Sequence, residues 1–117
     1  MDIRKIDDDY SVSPQIEPED VDIVSLLGFR SIVCHRPDEE QADQPAFASI
    51  AERAAQLDIA VRHIPVLSSG LTDEAVSGMV QALGDLPRPI LAYCRSGARS
   101  TKIHEQALLL RRVGVRS

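Results

Sequence analysis

The seven residues Cys94-Arg95-Ser96-Gly97-Ala98-Arg99-Ser100 bring together a thiol, two guanidinium groups, two hydroxyls and a glycine. They lie between an apolar run and a stretch of helical character. A short loop curling into a helix N-terminus turns successive backbone N–H groups inward and forms a cradle for an anion. Gly97 permits a positive φ or a close approach of backbone to ligand. The same N–H groups and the helix dipole favour the thiolate of Cys94, which is the attacking form of the residue. Arg99 can hold an oxyanion with two parallel charge-assisted hydrogen bonds. Ser100 can cap the helix and donate to the thiolate. Arg95, Ser96, Gly97, Ala98 and Ser100 are thus expected to bind substrate around the catalytic pair Cys94 and Arg99. Arg95 can also simply face water, and a lone cysteine at a strand end is often a small buried hydrophobe.

If the transferred group is phosphoryl, an acid must protonate the leaving oxygen. Asp38, Glu39 and Glu40 offer carboxyls on one loop, and Asp73 and Glu74 on another. Asp38 and Asp73 are the catalytic candidates. Asp38 can equally be a solvated loop residue. Thr72-Asp73-Glu74 also reads as a helix cap with early carboxylates that suit the dipole. Transfer of a sulfane sulfur through a Cys94 persulfide needs no such acid. The second cysteine, Cys34, reads either as a buried strand residue or as a partner able to form a reversible disulfide with oxidised Cys94. His35, His63 and His104 lack metal-ligand spacing with the cysteines, so neither a metal nor a cofactor is expected. Arg111 and Arg112 suit a helix C-terminus.

These residues need a scaffold. Tyr10–Ser13 reads as a short edge strand stopped by Pro14. A helix opens at Pro18-Glu19-Asp20, with Val21, Val24 and Leu27 on its buried side, Ile23 beside them and Gly28 as C-cap. Phe29–Cys34 is a buried strand and 35–45 an acidic, proline-punctuated loop. Phe47–Leu57 is an amphipathic helix and Ile59–Val66 a strand. Thr72 caps a helix carrying Ala75, Val76, Met79, Val80 and Leu83; Pro89–Tyr93 is a strand and Ser100–Arg112 the last helix. Strands alternating with helices imply a mainly parallel sheet with helices on both faces, a three-layer α/β fold. Sites in such sheets lie beyond the carboxyl ends of the strands, where Cys34, Val66 and Cys94 all fall.

The totals agree with a single domain spanning 1–117. Of 117 residues, 44% are hydrophobic and 26% charged, and with 3% aromatics and no Trp the core is aliphatic. The scarcity of rings argues against a stacking platform for single-stranded nucleic acid. A net charge of −5 gives no general attraction to nucleic acid or anionic membrane, so any bound anion is captured locally. Two cysteines are too few for a disulfide scaffold, and no apolar run approaches the roughly 18–20 residues that span a bilayer. The opening Met1–Asp9 has no apolar signal core, so the expected location is the cytoplasm. Oligomeric state is left open.

The loop resembles two families of active site. Tyrosine and dual-specificity phosphatases carry Cys, five residues, then Arg followed by Ser or Thr, and tyrosine phosphatases place a histidine where Tyr93 stands. Rhodanese-type sulfurtransferases have a loop one residue shorter, and the four residues between Cys94 and Arg99 match that length. Elsewhere, Ser11-Val12-Ser13-Pro14-Gln15-Ile16, Arg36-Pro37-Asp38-Glu39-Glu40 and His63-Ile64-Pro65-Val66, in this order, resemble the phosphatase-like domain of the beta-lactamase hydrolase-like protein family. The likeness runs from about residue 5 to residue 108. Members of that family are sometimes labelled sulfurtransferases. The resemblance implies a cysteine-phosphatase fold of the dual-specificity type and hydrolysis of a phosphomonoester through a phosphocysteine on Cys94. By the dual-specificity pattern the acid follows the His63–Val66 strand, which favours Asp73. The alternatives are a sulfurtransferase working through a Cys94 persulfide and a non-catalytic module that binds phosphate or a phosphoprotein.

Overall fold

A computed structural model of the chain describes residues 1–114. Five strands, β1 (Arg4–Asp7), β2 (Tyr10–Ser13), β3 (Ser31–Cys34), β4 (Ala60–His63) and β5 (Ile90–Tyr93), form one sheet in the order β1-β2-β5-β3-β4. The last four are mutually parallel, and β1 pairs antiparallel with β2 at the edge. The register aligns Ser13, Tyr93, Cys34 and His63 at one rim. Everything that follows a strand therefore begins at that rim.

Side chains alternate across a strand, and the two faces separate cleanly. Val12, Ala92 and Val33 point to one side, where they meet Ala75, Met79 and Leu83 of α3 (Asp73–Asp85) and Ile103 and Ala107 of α4 (Ala98–Gly114). Leu91, Tyr93, Ile32 and Cys34 point to the other. There they pack on Val21 and Val24 of α1 (Asp20–Leu26) and on Ile50 and Ala54 of α2 (Phe47–Gln56). The result is the expected three-layer, mainly parallel α/β fold. Among the described residues, no helix is long and apolar enough to cross a membrane.

Four local expectations change. Tyr10–Ser13 is not an edge strand: β1 covers it, and all four of its residues are buried. Leu27 lies outside the core at 60% exposure, because α1 has only seven residues and buries Val21 and Val24 alone. Gly28, at φ +93°, does end that helix, its N–H donating to Ser25 O at 3.0 Å. β4 stops at His63, although Ile64 N–H and Val66 N–H still bond to Cys34 O and His35 O at 2.9 and 2.8 Å. The last helix starts at Ala98, two residues before the expected Ser100.

Candidate active site

β5 is the middle strand of the sheet, so the chain leaving Tyr93 emerges at the centre of the rim. Cys94 N–H still reaches Ser13 O (3.4 Å), and Gln15 N–H donates to Arg95 O (3.4 Å), so the segment after β2 braces the loop. The chain then reverses through Gly97 at φ +96°. A residue with a Cβ adopts that conformation only with strain. An added Cβ would also lie 2.8 Å from Arg4 Nη2, which rests against Ser96 O at 3.5 Å.

This turn points Gly97 N–H at Cys94 Sγ, 3.0 Å away. Burial of Cys94 pushes its thiol pKa up. The backbone N–H and hydroxyl of Ser100, with the N–H groups of Ser96 and Gly97, outweigh burial and hold it below its ordinary value. The Ser100 hydroxyl is itself buried with no hydrogen bond of full geometry, so it acts on the sulfur as a nearby dipole. The helix is capped by Ser96, whose Oγ accepts from Ala98 N–H at 3.3 Å; the expected capping by Ser100 is thereby corrected. Ser100 sits inside the first turn, where Tyr10 Oη donates to its carbonyl (2.8 Å) and ties β2 to the cradle. Arg95 and Ala98 are exposed on the outside of the loop.

Arg99 is held in a way the sequence did not announce. Its Nη1 and Nη2 donate to the two carboxylate oxygens of Glu40 at 2.7 and 2.9 Å, and Nη1 also donates to Val66 O at 2.9 Å. Of the five N–H donors of a guanidinium, this leaves Nε–H and one Nη2–H, which form the second edge of the same fork. Glu40 is in turn gripped by Arg36, whose Nε donates to it at 3.0 Å. Arg36 is 2% exposed, and its terminal nitrogens donate to Gln15 Oε1 (3.1 Å) and Gln41 Oε1 (2.9 Å). Hydrogen bonds from Arg99 and Arg36 together lower the Glu40 carboxyl pKa, with burial opposing them.

The two expected acids have other attachments. Asp38 Oδ1 accepts from Phe47 N–H (2.8 Å) and so serves the N-terminus of α2. Its charge raises the pKa of Cys34 and Tyr93, which share the face opposite the core of α3 and α4. Asp73 stands in the first turn of α3, beneath the Thr72 cap that accepts from Ala75 N–H at 3.1 Å. It lines a groove with Gln106 and Leu109 between α3 and α4. Neither carboxylate is hydrogen-bonded to the loop from Cys94 to Ser100. Glu40, weighed only as one acid among five, is the carboxylate the fold delivers to the site.

The suggested link between Cys34 and Cys94 meets an obstacle of register. Cys34 pairs with Tyr93, one residue out of step with Cys94, so its sulfur lies among Ile16, Val21 and Ile32 on the face of α1 and α2. It donates to Arg36 O at 3.4 Å, and burial pushes its pKa to about 11. Both cysteines are free. His35 is fully buried, with Nδ1 at 2.9 Å from Ile64 O, and burial lowers its pKa to about 4. Since a carbonyl only accepts, Nδ1 carries the proton and Nε2 is a bare acceptor. His63 Nε2 donates to Arg36 O (2.9 Å), and its ring stacks on Phe47. His104 stacks on Tyr10, its ring centroid 3.9 Å away. Among the described residues, no three His, Cys, Asp or Glu side chains converge as a metal site.

Comparison with known proteins agrees with this geometry. Residues 2–109 match the phosphatase-like domain of beta-lactamase hydrolase-like proteins. A beta-lactamase hydrolase-like protein of Xylella fastidiosa is 25% identical over 104 residues, covering 89% of this chain but only 24% of its own length. The chain thus spans about a quarter of that relative. A crystal structure from Neisseria meningitidis, described as a candidate phosphatase, superposes with a TM-score of 0.81 at 34% identity, covering 89% of this chain and 74% of that one. Tk-PTP in its active form shares the fold, with a TM-score of 0.61 at 16% identity over 94% of this chain and 82% of its own. The fold is that of the cysteine phosphatases, and the chain belongs to the family of phosphatase-like domains found in beta-lactamase hydrolase-like proteins.

Proposed function

We propose that this domain is a cysteine-dependent phosphatase that works through a phosphocysteine on Cys94. The observation that carries the reading is the placing of the Cys94 sulfur 3.0 Å from an inward N–H, with its pKa lowered, beside an arginine that keeps one edge of its fork free. Cys94 thiolate attacks phosphorus; the S–P bond forms as the bond to the leaving oxygen breaks. The inward N–H groups and the free Arg99 edge stabilise charge on the non-bridging oxygens. Water then attacks the phosphocysteine, giving phosphate and restoring the thiolate. Glu40 acts through Arg99 as a positioning residue and does not touch the substrate.

The test is release of phosphate from an aryl phosphate by wild type and by Cys94→Ser. Activity that survives in Cys94→Ser refutes the reading. The four-residue spacing to Arg99 favours a second one, in which Cys94 takes the outer sulfur of thiosulfate, releases sulfite, and passes the sulfur to cyanide. Cys94-dependent thiocyanate without phosphate release would establish it. Phosphate binding with neither activity would point to a non-catalytic module.

A further inference from the structure

We infer that the substrate carries its phosphoryl group on an oxygen that leaves as a stable anion, as in a phosphoanhydride or an acyl phosphate, and is not an alkyl phosphomonoester. This rests on the phosphatase reading and names its substrate class. An alkoxide is a poor leaving group and must be protonated as it departs, the task of a general acid. The carboxylates that the rim loops supply are committed elsewhere. Asp38 holds Phe47 N–H and sits toward the face of Cys34 and Tyr93. Glu40 accepts three guanidinium hydrogen bonds, which exist only with its ionised form at full strength. Asp73 lines the groove between α3 and α4, and Glu74 a depression with His63 and Gly78. Glu39 is exposed in a turn at φ +65°. Asp20, in the segment after β2, accepts Glu17 N–H at 2.8 Å.

The histidine nearest in the chain order of the rim is no donor either, since His35 gives its one ring proton to Ile64 O. The cations of the site are arginines, Arg99 held beside the sulfur and Arg95 exposed next to it in the chain. An arginine steadies a departing anion but does not release a proton, its pKa lying above about 12. Bond by bond, Sγ–P forms while P–O breaks, and the leaving oxygen keeps the electron pair as phosphate or carboxylate. Water then cleaves S–P and gives its proton to solvent. No acid is required.

The experiment measures kcat/KM of the whole chain on aryl phosphates with leaving phenols of graded acidity. Acetyl phosphate, inorganic pyrophosphate and glycerol phosphate complete the set. The expected result is a steep fall as the leaving-group pKa rises, with turnover of acetyl phosphate or pyrophosphate and none of glycerol phosphate. The first supports the acyl class and the second the anhydride class. Asp38→Asn (which keeps the oxygen that caps α2), Glu39→Gln, Asp73→Asn and Glu74→Gln retain the wild-type rate, rather than losing the roughly 10²–10⁴-fold that a general acid supplies. Rates nearly independent of leaving-group pKa in wild type overturn the inference alone. So does a variant in which the dependence becomes steep. Absence of Cys94-dependent phosphate release from every compound overturns the phosphatase reading itself.

Discussion

Glu40→Gln separates two roles that one carboxylate on an active-site arginine could have. In the structure Glu40 takes the Nη1/Nη2 edge of Arg99 and leaves the Nε/Nη2 edge free, the arrangement of a strut. The side chains concerned are poorly exposed, 21% for Glu40, 16% for Arg99 and 3% for Arg36, so water does little to replace what is lost. Glutamine keeps one acceptor oxygen and sets an NH₂ against guanidinium donors, forfeiting at least one charge-assisted hydrogen bond worth about 1.5–3 kcal/mol. Stability, read from denaturant unfolding, should fall by about 2 kcal/mol. An Arg99 displaced by about 1 Å costs on the order of 10²-fold in rate, or about 2.7 kcal/mol of transition-state stabilisation. The loss should appear in kcat. The carboxyl pKa is lowered in the folded state, so its contribution to stability is complete above the ordinary carboxylate range. It is lost as pH falls through the lowered value, and in Glu40→Gln this acid-side dependence weakens. If instead kcat is unchanged and KM drops, Glu40 competes with substrate for Arg99, and its assignment as a strut is refuted.

The thiolate absorbance of Cys94 should titrate below the pH of a free thiol, and Ser100→Ala should move that titration upward; an unmoved curve would show that Ser100 does not act on the sulfur. Gly97→Ala should cost about 1–2 kcal/mol for a left-handed residue, since Arg4 Nη2, the flexible end of a side chain, can withdraw from the new methyl group. A much larger loss in the denaturation midpoint would place the clash in the backbone. His35 is neutral in the fold, with its pKa lowered to about 4, below its unfolded value. Its contribution is therefore whole above about pH 6.5 and lost toward pH 4, up to about 3 kcal/mol, and the slope should shrink in His35→Gln. Cys34 should stay unreactive toward a thiol reagent in the native protein and form no bridge with Cys94 under mild oxidation; a recovered Cys34–Cys94 disulfide would contradict the register.

What could be read in the sequence was what lies close together along it. The cradle is seven consecutive residues, and the helix faces of α2 and α3 repeat at spacings that periodicity exposes. β1 escaped because Arg4–Asp7 is exposed throughout and carries no apolar alternation. It forms by pairing its backbone with β2, and in doing so it buries β2 and brings Arg4 to the loop. The choice among carboxylates was hidden for a different reason. Asp38, Glu39 and Glu40 are adjacent in sequence and chemically alike, yet they part company once folded. Asp38 turns to a helix N-terminus, and Glu40 is drawn to two arginines, one of them 59 positions away. A carboxylate's role is decided by which donors are left unpaired around it, and Arg36 and Arg99 are the donors here. Buried Arg36, 2% exposed, cannot stand without a counter-charge, so the loop must fold to supply one. The same Glu40 that meets this structural need fixes one edge of Arg99 and leaves the other edge open.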